Sequence, residues 1–138
     1  MPAKDKFHDH VKKALVNDGW TITDDPLTFK FGKTDIYIDL GAERLLAAQK
    51  GLCQIAVEIK SFLSRSSIAD LQAAIGQFQM YRYKLQKIDP ERELWLAIDE
   101  TVYLKLFLEA EVEDFRINQG VKLIVFNAQT EEILRWIP

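Results

Sequence analysis

Two stretches of the chain carry side chains that could do hydrolytic chemistry together: Asp39, and the tripeptide Glu58-Ile59-Lys60. Glu58 and Lys60 stand two apart in a segment, Gln54 to Lys60, that alternates polar and apolar residues. On a β-strand both side chains therefore leave the same face, opposite Ile55, Val57 and Ile59. Asp39 belongs to a second alternating segment, Asp35 to Leu40, on the face opposite Ile36, Ile38 and Leu40. If these strands are neighbours, Asp39, Glu58 and Lys60 converge. Two carboxylates supply the hard oxygen ligands that Mg²⁺ takes while it keeps several waters. Such an ion lowers the pKa of a bound water and stabilises an in-line phosphoryl transition state. An ammonium beside it can orient that water or neutralise developing charge. Glu-x-Lys on a strand is also what any sheet with one wet face displays. The functional reading therefore rests on the convergence with Asp39 and on the basic and polar run Lys60 to Arg65 that follows.

A second polar pair, Gln77 and Tyr81, lies four residues apart in a helical pattern, so the two share a face distinct from the Leu71, Ile75, Phe78 stripe. They could hold a phosphate or order Lys60. The plainer alternative is a solvated glutamine beside a tyrosine at the edge of the core.

These residues need elements to position them. Phe7, Val11, Ala14 and Leu15 recur at helical spacing between Lys4 and Asp18, with Gly19 as the stop. Short strands are expected at Trp20 to Thr23 and Leu27 to Phe31, with a turn at Asp24-Asp25-Pro26 between them. Glu43 to Gln49 reads as a continuing strand or a helical turn, and Lys50-Gly51 as a turn. Ser67-Ile68-Ala69-Asp70 resembles a capping box, opening a long helix with Ile68, Leu71, Ile75, Phe78 and Leu85 on its apolar stripe. Asp89-Pro90 ends that helix. A buried strand at Leu94 to Ile98, a helix at Thr101 to Glu109, and strands at Val121 to Phe126 and Ile133 to Ile137 complete the pattern. The order predicts an α/β domain with helices against a central mixed sheet.

The chain has 138 residues, 48% hydrophobic and 28% charged, the balance of an ordinary globular domain. Its lone cysteine, Cys53, excludes a disulfide framework and a Cys-rich zinc site and fits a reducing, cytoplasmic location. No apolar run approaches the ~20 residues needed to span a bilayer, and the Met1-to-Lys6 start does not read as a signal peptide. The net charge of −3 disfavours nonspecific DNA binding, but the charge is uneven. Arg44 to Lys87 holds seven bases against two acids, a surplus of +5, and could meet a phosphate backbone. Ile88 to Phe115 holds nine acids against two bases, a surplus of −7, and would repel DNA or meet a protein. Two solvated faces of unequal charge would give the same numbers.

Asp39, Glu58-Ile59-Lys60 and Gln77-Phe78-Gln79-Met80-Tyr81 together resemble the PD-(D/E)xK (restriction-endonuclease-like) nuclease superfamily, the Gln-x-x-x-Tyr spacing its RecB-type branch. Across its whole length the chain resembles the XisH family of fdxN-element excision controlling factors. That resemblance is carried by Asp18-Gly19-Trp20-Thr21-Ile22-Thr23, Asp25-Pro26-Leu27, Asp39-Leu40-Gly41-Ala42-Glu43-Arg44, Ala56-Val57-Glu58-Ile59-Lys60-Ser61-Phe62 and Gly76-Gln77-Phe78. It implies one nuclease-like domain over 1–138, with a core at about 4–99 and a helical and β extension at about 100–138. It implies Asp39, Glu58 and the Ile59 backbone carbonyl as ligands of Mg²⁺ or Mn²⁺, and Lys60 as the catalytic lysine, with Gln77 and Tyr81 completing the set. It further implies a Mg²⁺-dependent endonuclease acting on DNA in cyanobacterial element excision, beside a recombinase and a small companion, XisI. The resemblance also allows a homodimer, since superfamily nucleases often pair to cut both strands. The alternative is a catalytically inactive nuclease-fold module that acts through that companion. The chain departs from the superfamily pattern at Ile38, where a proline often precedes the aspartate. It also lacks the first-helix glutamate, for which His8 or Asp9 is the nearest replacement, His8 being the candidate metal ligand.

Overall fold

The computed structural model describes residues 4–46 and 51–138. Helix α1 (His8–Asn17) begins one turn later than the apolar spacing suggests and buries Val11, Ala14 and Leu15. Four strands follow: β1 (Thr21–Asp24), β2 (Leu27–Phe31), β3 (Thr34–Ile38) and β4 (Leu40–Leu46). Strand β5 (Gly51–Ile59) leads into the long helix α2 (Ser67–Ile88) and then β6 (Glu93–Asp99). A short helix, α3 (Glu100–Val102), continues as one π-helical turn (Tyr103–Phe107), and α4 (Ala110–Gln119), β7 (Leu123–Asn127) and β8 (Glu132–Ile137) complete the chain.

The main sheet has six strands in the order β1-β4-β5-β6-β7-β8. β5, β6 and β7 run parallel, and every other neighbouring pair in this sheet is antiparallel. Parallel neighbours require a crossover, which α2 supplies between β5 and β6 and the α3–α4 segment between β6 and β7. A parallel centre is covered on both faces. Accordingly Leu94 to Ile98 and Leu123 to Phe126 are buried without a break. Period-two alternation sorts these residues into two layers. Ala56, Leu96, Ile98, Leu123 and Val125 meet α2 through Leu71, Ile75 and Phe78. Ile55, Val57, Trp95, Ala97, Ile124 and Phe126 share the opposite layer with Val11 and Leu15 of α1.

Several expectations need correction. The segment Asp35 to Leu40 is not one strand. Among the described residues β3 pairs only with β2 in a separate hairpin, the chain bends at Asp39, and β4 then joins the main sheet between β1 and β5. The bend sends Ile38 into the α2 layer and Leu40 into the α1 layer, so the two do not share a face. The cap of α2 is Ser66, whose hydroxyl accepts the Ala69 N–H at 3.1 Å, one residue before the expected box. Asp70 accepts from the Ser64 N–H instead. Ile68 is 56% exposed and leaves the core stripe. The acidic stretch after Glu109, which carried no helical expectation, forms α4. It is held by Arg116, which donates to both Glu113 carboxylate oxygens and to the Val121 carbonyl, and is closed by Gly120 at φ +68°. The strand reading of Glu43 to Gln49 holds as far as Leu46. The remainder, with Lys50, lies outside the described residues, and Gly51 opens β5. Among the described residues no helix is long and apolar enough to cross a membrane.

Candidate functional site

β5 alternates into both layers, and Glu58 takes the face that Ala56 occupies toward α2. The strand ends one residue later. Lys60 stays anchored by its N–H, which donates to the Ala97 carbonyl of β6 at 3.1 Å. The β4–β5 register pairs Leu40 with Val57, which brings the Asp39 bend beside Glu58 and Ile59. Asp39 Oδ2 accepts the Ile59 N–H at 2.7 Å, and the Asp39 N–H points at Glu58 Oε1 at 3.4 Å. The bend that breaks the β3–β4 run is thus the feature that delivers the aspartate. From the other side α2 presents Gln77 and Tyr81 one turn apart. Tyr81 packs in the α2 layer against Phe29 and turns its hydroxyl to Glu58.

Asp39, Glu58, Ile59, Lys60, Gln77 and Tyr81 line one cavity of about 330 Å³. The structure brings together every residue of the sequence-derived set except His8. Glu58 is only 6% exposed. Burial, and then the adjacent Asp39 carboxylate, push its carboxyl far above the usual range, while Lys60 pulls weakly the other way. Burial and the same two carboxylates raise the Tyr81 hydroxyl to about 12. Glu58, buried against a second carboxylate, is held protonated at neutral pH unless a cation takes the proton's place. The Gln77 side-chain oxygen is buried and without a partner among the described residues, which leaves it free to accept from a donor in the cavity.

This donor set suits a hard divalent cation. Two carboxylates and the Ile59 carbonyl are oxygen ligands of the type that Mg²⁺ and Mn²⁺ prefer. Among the described residues no three His, Cys, Asp or Glu side chains form a ligating cluster. A cation here would retain several waters, as Mg²⁺ ordinarily does.

His8 is not part of this arrangement. The buried face of α1 directs its Nε2 to Asp25 Oδ1 at 2.6 Å, and Lys12 holds the other Asp25 oxygen at 2.7 Å. Partial burial raises the Asp25 carboxyl, but the bonds to Lys12 and His8 outweigh this and leave it below its usual value. Asp9 is exposed and faces a different cavity, beside Lys12 and Lys13. The cavity also contains residues the motifs did not indicate: Asp5, and Asp35 and Tyr37 of β3. Asp5 joins the start of α1 to the site. Its Oδ1 accepts the Phe7 N–H at 2.9 Å and its Oδ2 the Ser61 N–H at 3.1 Å, next to Lys60. An aspartate at an expected helix start was a readable signal, whereas the contribution of Tyr37 depends on the hairpin fold.

A family model described as XisH protein matches residues 1–134. Two solved structures superpose with a TM-score of 0.87 each. An XisH family protein from Nostoc punctiforme is 38% identical, over 97% of this chain and 100% of that one. An fdxN element excision controlling factor protein from Anabaena variabilis is 41% identical, over 98% of this chain and 100% of that one. No curated protein matches. The chain belongs to the XisH family.

Proposed function

We propose that this XisH-family chain processes DNA at the Asp39–Glu58 cavity as a divalent-metal-dependent phosphodiester hydrolase of the PD-(D/E)xK type, in the control of DNA-element excision. The observation that carries the reading is the half-buried Asp39 against the buried Glu58, with Lys60 beside them at the end of β5. The succession of α1, strands, α2 and β6 supports the superfamily placement. The name of the Anabaena variabilis relative supports the biological setting.

In this reading Asp39, Glu58 and the Ile59 carbonyl hold Mg²⁺ or Mn²⁺. When bound, the ion supplies Lewis-acid polarisation of the phosphate and an acidified water. Lys60 orients the attacking water and offsets charge growing on the phosphate. Tyr81 faces Glu58 across the cavity, and the buried Gln77 Oε1 accepts from Lys60 or from a bound water. The Ile59–Asp39 bond keeps one ligand in place before the substrate arrives, so little reorganisation accompanies the reaction.

Purified chain incubated with supercoiled plasmid and Mg²⁺ or Mn²⁺ tests this, with Lys60→Ala alongside. Nicking by the wild type that the variant loses supports the proposal. Equal nicking by both contradicts it. No nicking by either, across pH and metal, favours the alternative of a nuclease-fold module that acts only through a companion.

A further inference from the structure

A groove of about 630 Å³ runs between α2 and α4 and shares no lining residue with the acidic cavity. Ile68, Leu71 and Ile75 of α2 face Val112 and Phe115 of α4 across it. Ile68 is 56% and Phe115 42% exposed, so an apolar surface stands uncovered. A hydrogen bond between the Gln79 and Gln119 side chains bridges one end. The floor holds Gly76, in the middle of α2, and a Cβ there would meet nothing within 4 Å. Alanine favours a helix interior over glycine, so neither α2 nor its packing within the chain accounts for Gly76. A glycine at such a point lets another backbone approach closely.

The charge of the groove indicates what approaches. Among the described residues its one charged lining residue is Glu111. Glu109 and Asp114 are exposed on the flanks of α4, and the Arg116 guanidinium is occupied by Glu113 and the Val121 carbonyl. A second copy docked symmetrically would set this acidic edge against itself, which is unfavourable. A basic partner is complementary. The apolar walls offer few hydrogen-bond partners, so the occupant must satisfy its own backbone, as a helix does. Ile68 to Gln79 spans about 17 Å, room for roughly three turns. We propose that the α2–α4 groove docks an amphipathic helix of a partner protein, apolar on one face and flanked by Lys or Arg.

The test is a displayed library of helices of about four turns, with randomised apolar and flanking positions, selected against the full chain. Enriched clones should carry Lys or Arg flanks. Their synthetic peptides should shift backbone amide resonances of Ile68 to Gln79 and of α4. Binding should weaken about tenfold or more in Gly76→Leu and in Glu111→Lys, both at exposed positions, with circular dichroism confirming the fold. Absence of enrichment, enrichment of acidic or uncharged helices, or shifts confined to other surfaces overturns the proposal. So does a dimer of the free chain that Phe115→Glu dissolves, since the groove would then belong to a second copy.

Discussion

Replacing Glu58 by glutamine keeps the shape of a buried side chain and removes its proton equilibrium. Glu58 is 6% exposed, and burial together with Asp39 raises its pKa from 4.5 to about 10. Once the pH passes 4.5, the folded chain holds a proton that the unfolded chain gives up. The stabilisation from this group is complete below that value and is lost as pH rises toward the folded value. One proton of difference gives a slope of at most about 1.4 kcal/mol per pH unit. From about pH 6 to about pH 8 the metal-free wild type therefore loses at most ~2.7 kcal/mol from this site. Glu58→Gln carries no such slope, so its stability relative to the wild type should rise with pH by up to that amount. Urea denaturation in chelator at about pH 6, 7 and 8 measures it. Adding Mn²⁺ should flatten the wild-type slope and leave that of the variant unchanged. Parallel slopes for the two proteins in chelator would refute the claim that Glu58 is held protonated in the fold.

Tyr81→Phe keeps the ring in the α2 layer but removes the hydroxyl that faces Glu58. The fold should survive while Mn²⁺ affinity by titration calorimetry falls several-fold. Ser66→Ala deletes the cap on the Ala69 N–H and should cost about 1 kcal/mol in urea denaturation. Gly120→Ala places a Cβ at φ +68°, 2.9 Å from Arg82 Nη1, and should destabilise by more than about 1 kcal/mol.

The alternation of Gln54 to Lys60 was sufficient to place Glu58 and Lys60, because the strand stays in one sheet and its two faces meet two helical layers. The same rule misread Asp35 to Leu40. Periodicity describes a local face but not a partner, and this run changes sheets at Asp39. Helix α4 was hidden because its apolar residues, Val112, Phe115 and Ile117, mark no single buried face, while the acids of its first turn, which favour a helix N-terminus, register only as charge. Its support is partly local, from Arg116 reaching Glu113 and Val121, and partly tertiary, from Arg82 donating to the Gln119 and Gly120 carbonyls. Gln77 and Tyr81 were legible from helical spacing, although Tyr81 is more deeply buried than a face separate from the core stripe suggested. His8 was misassigned because its real partner, Asp25, comes from the turn between β1 and β2, which no helix pattern reveals.

In the proposed function Asp39 and Glu58 together form a divalent-cation site. Anomalous scattering from a crystal of the chain soaked in Mn²⁺ decides whether they do. One strong peak is expected within ligating distance of Asp39, Glu58 and the Ile59 carbonyl, absent from a Glu58→Gln crystal treated identically. A saturating soak that leaves that position empty, or places the metal at His8 and Asp25 instead, would contradict it.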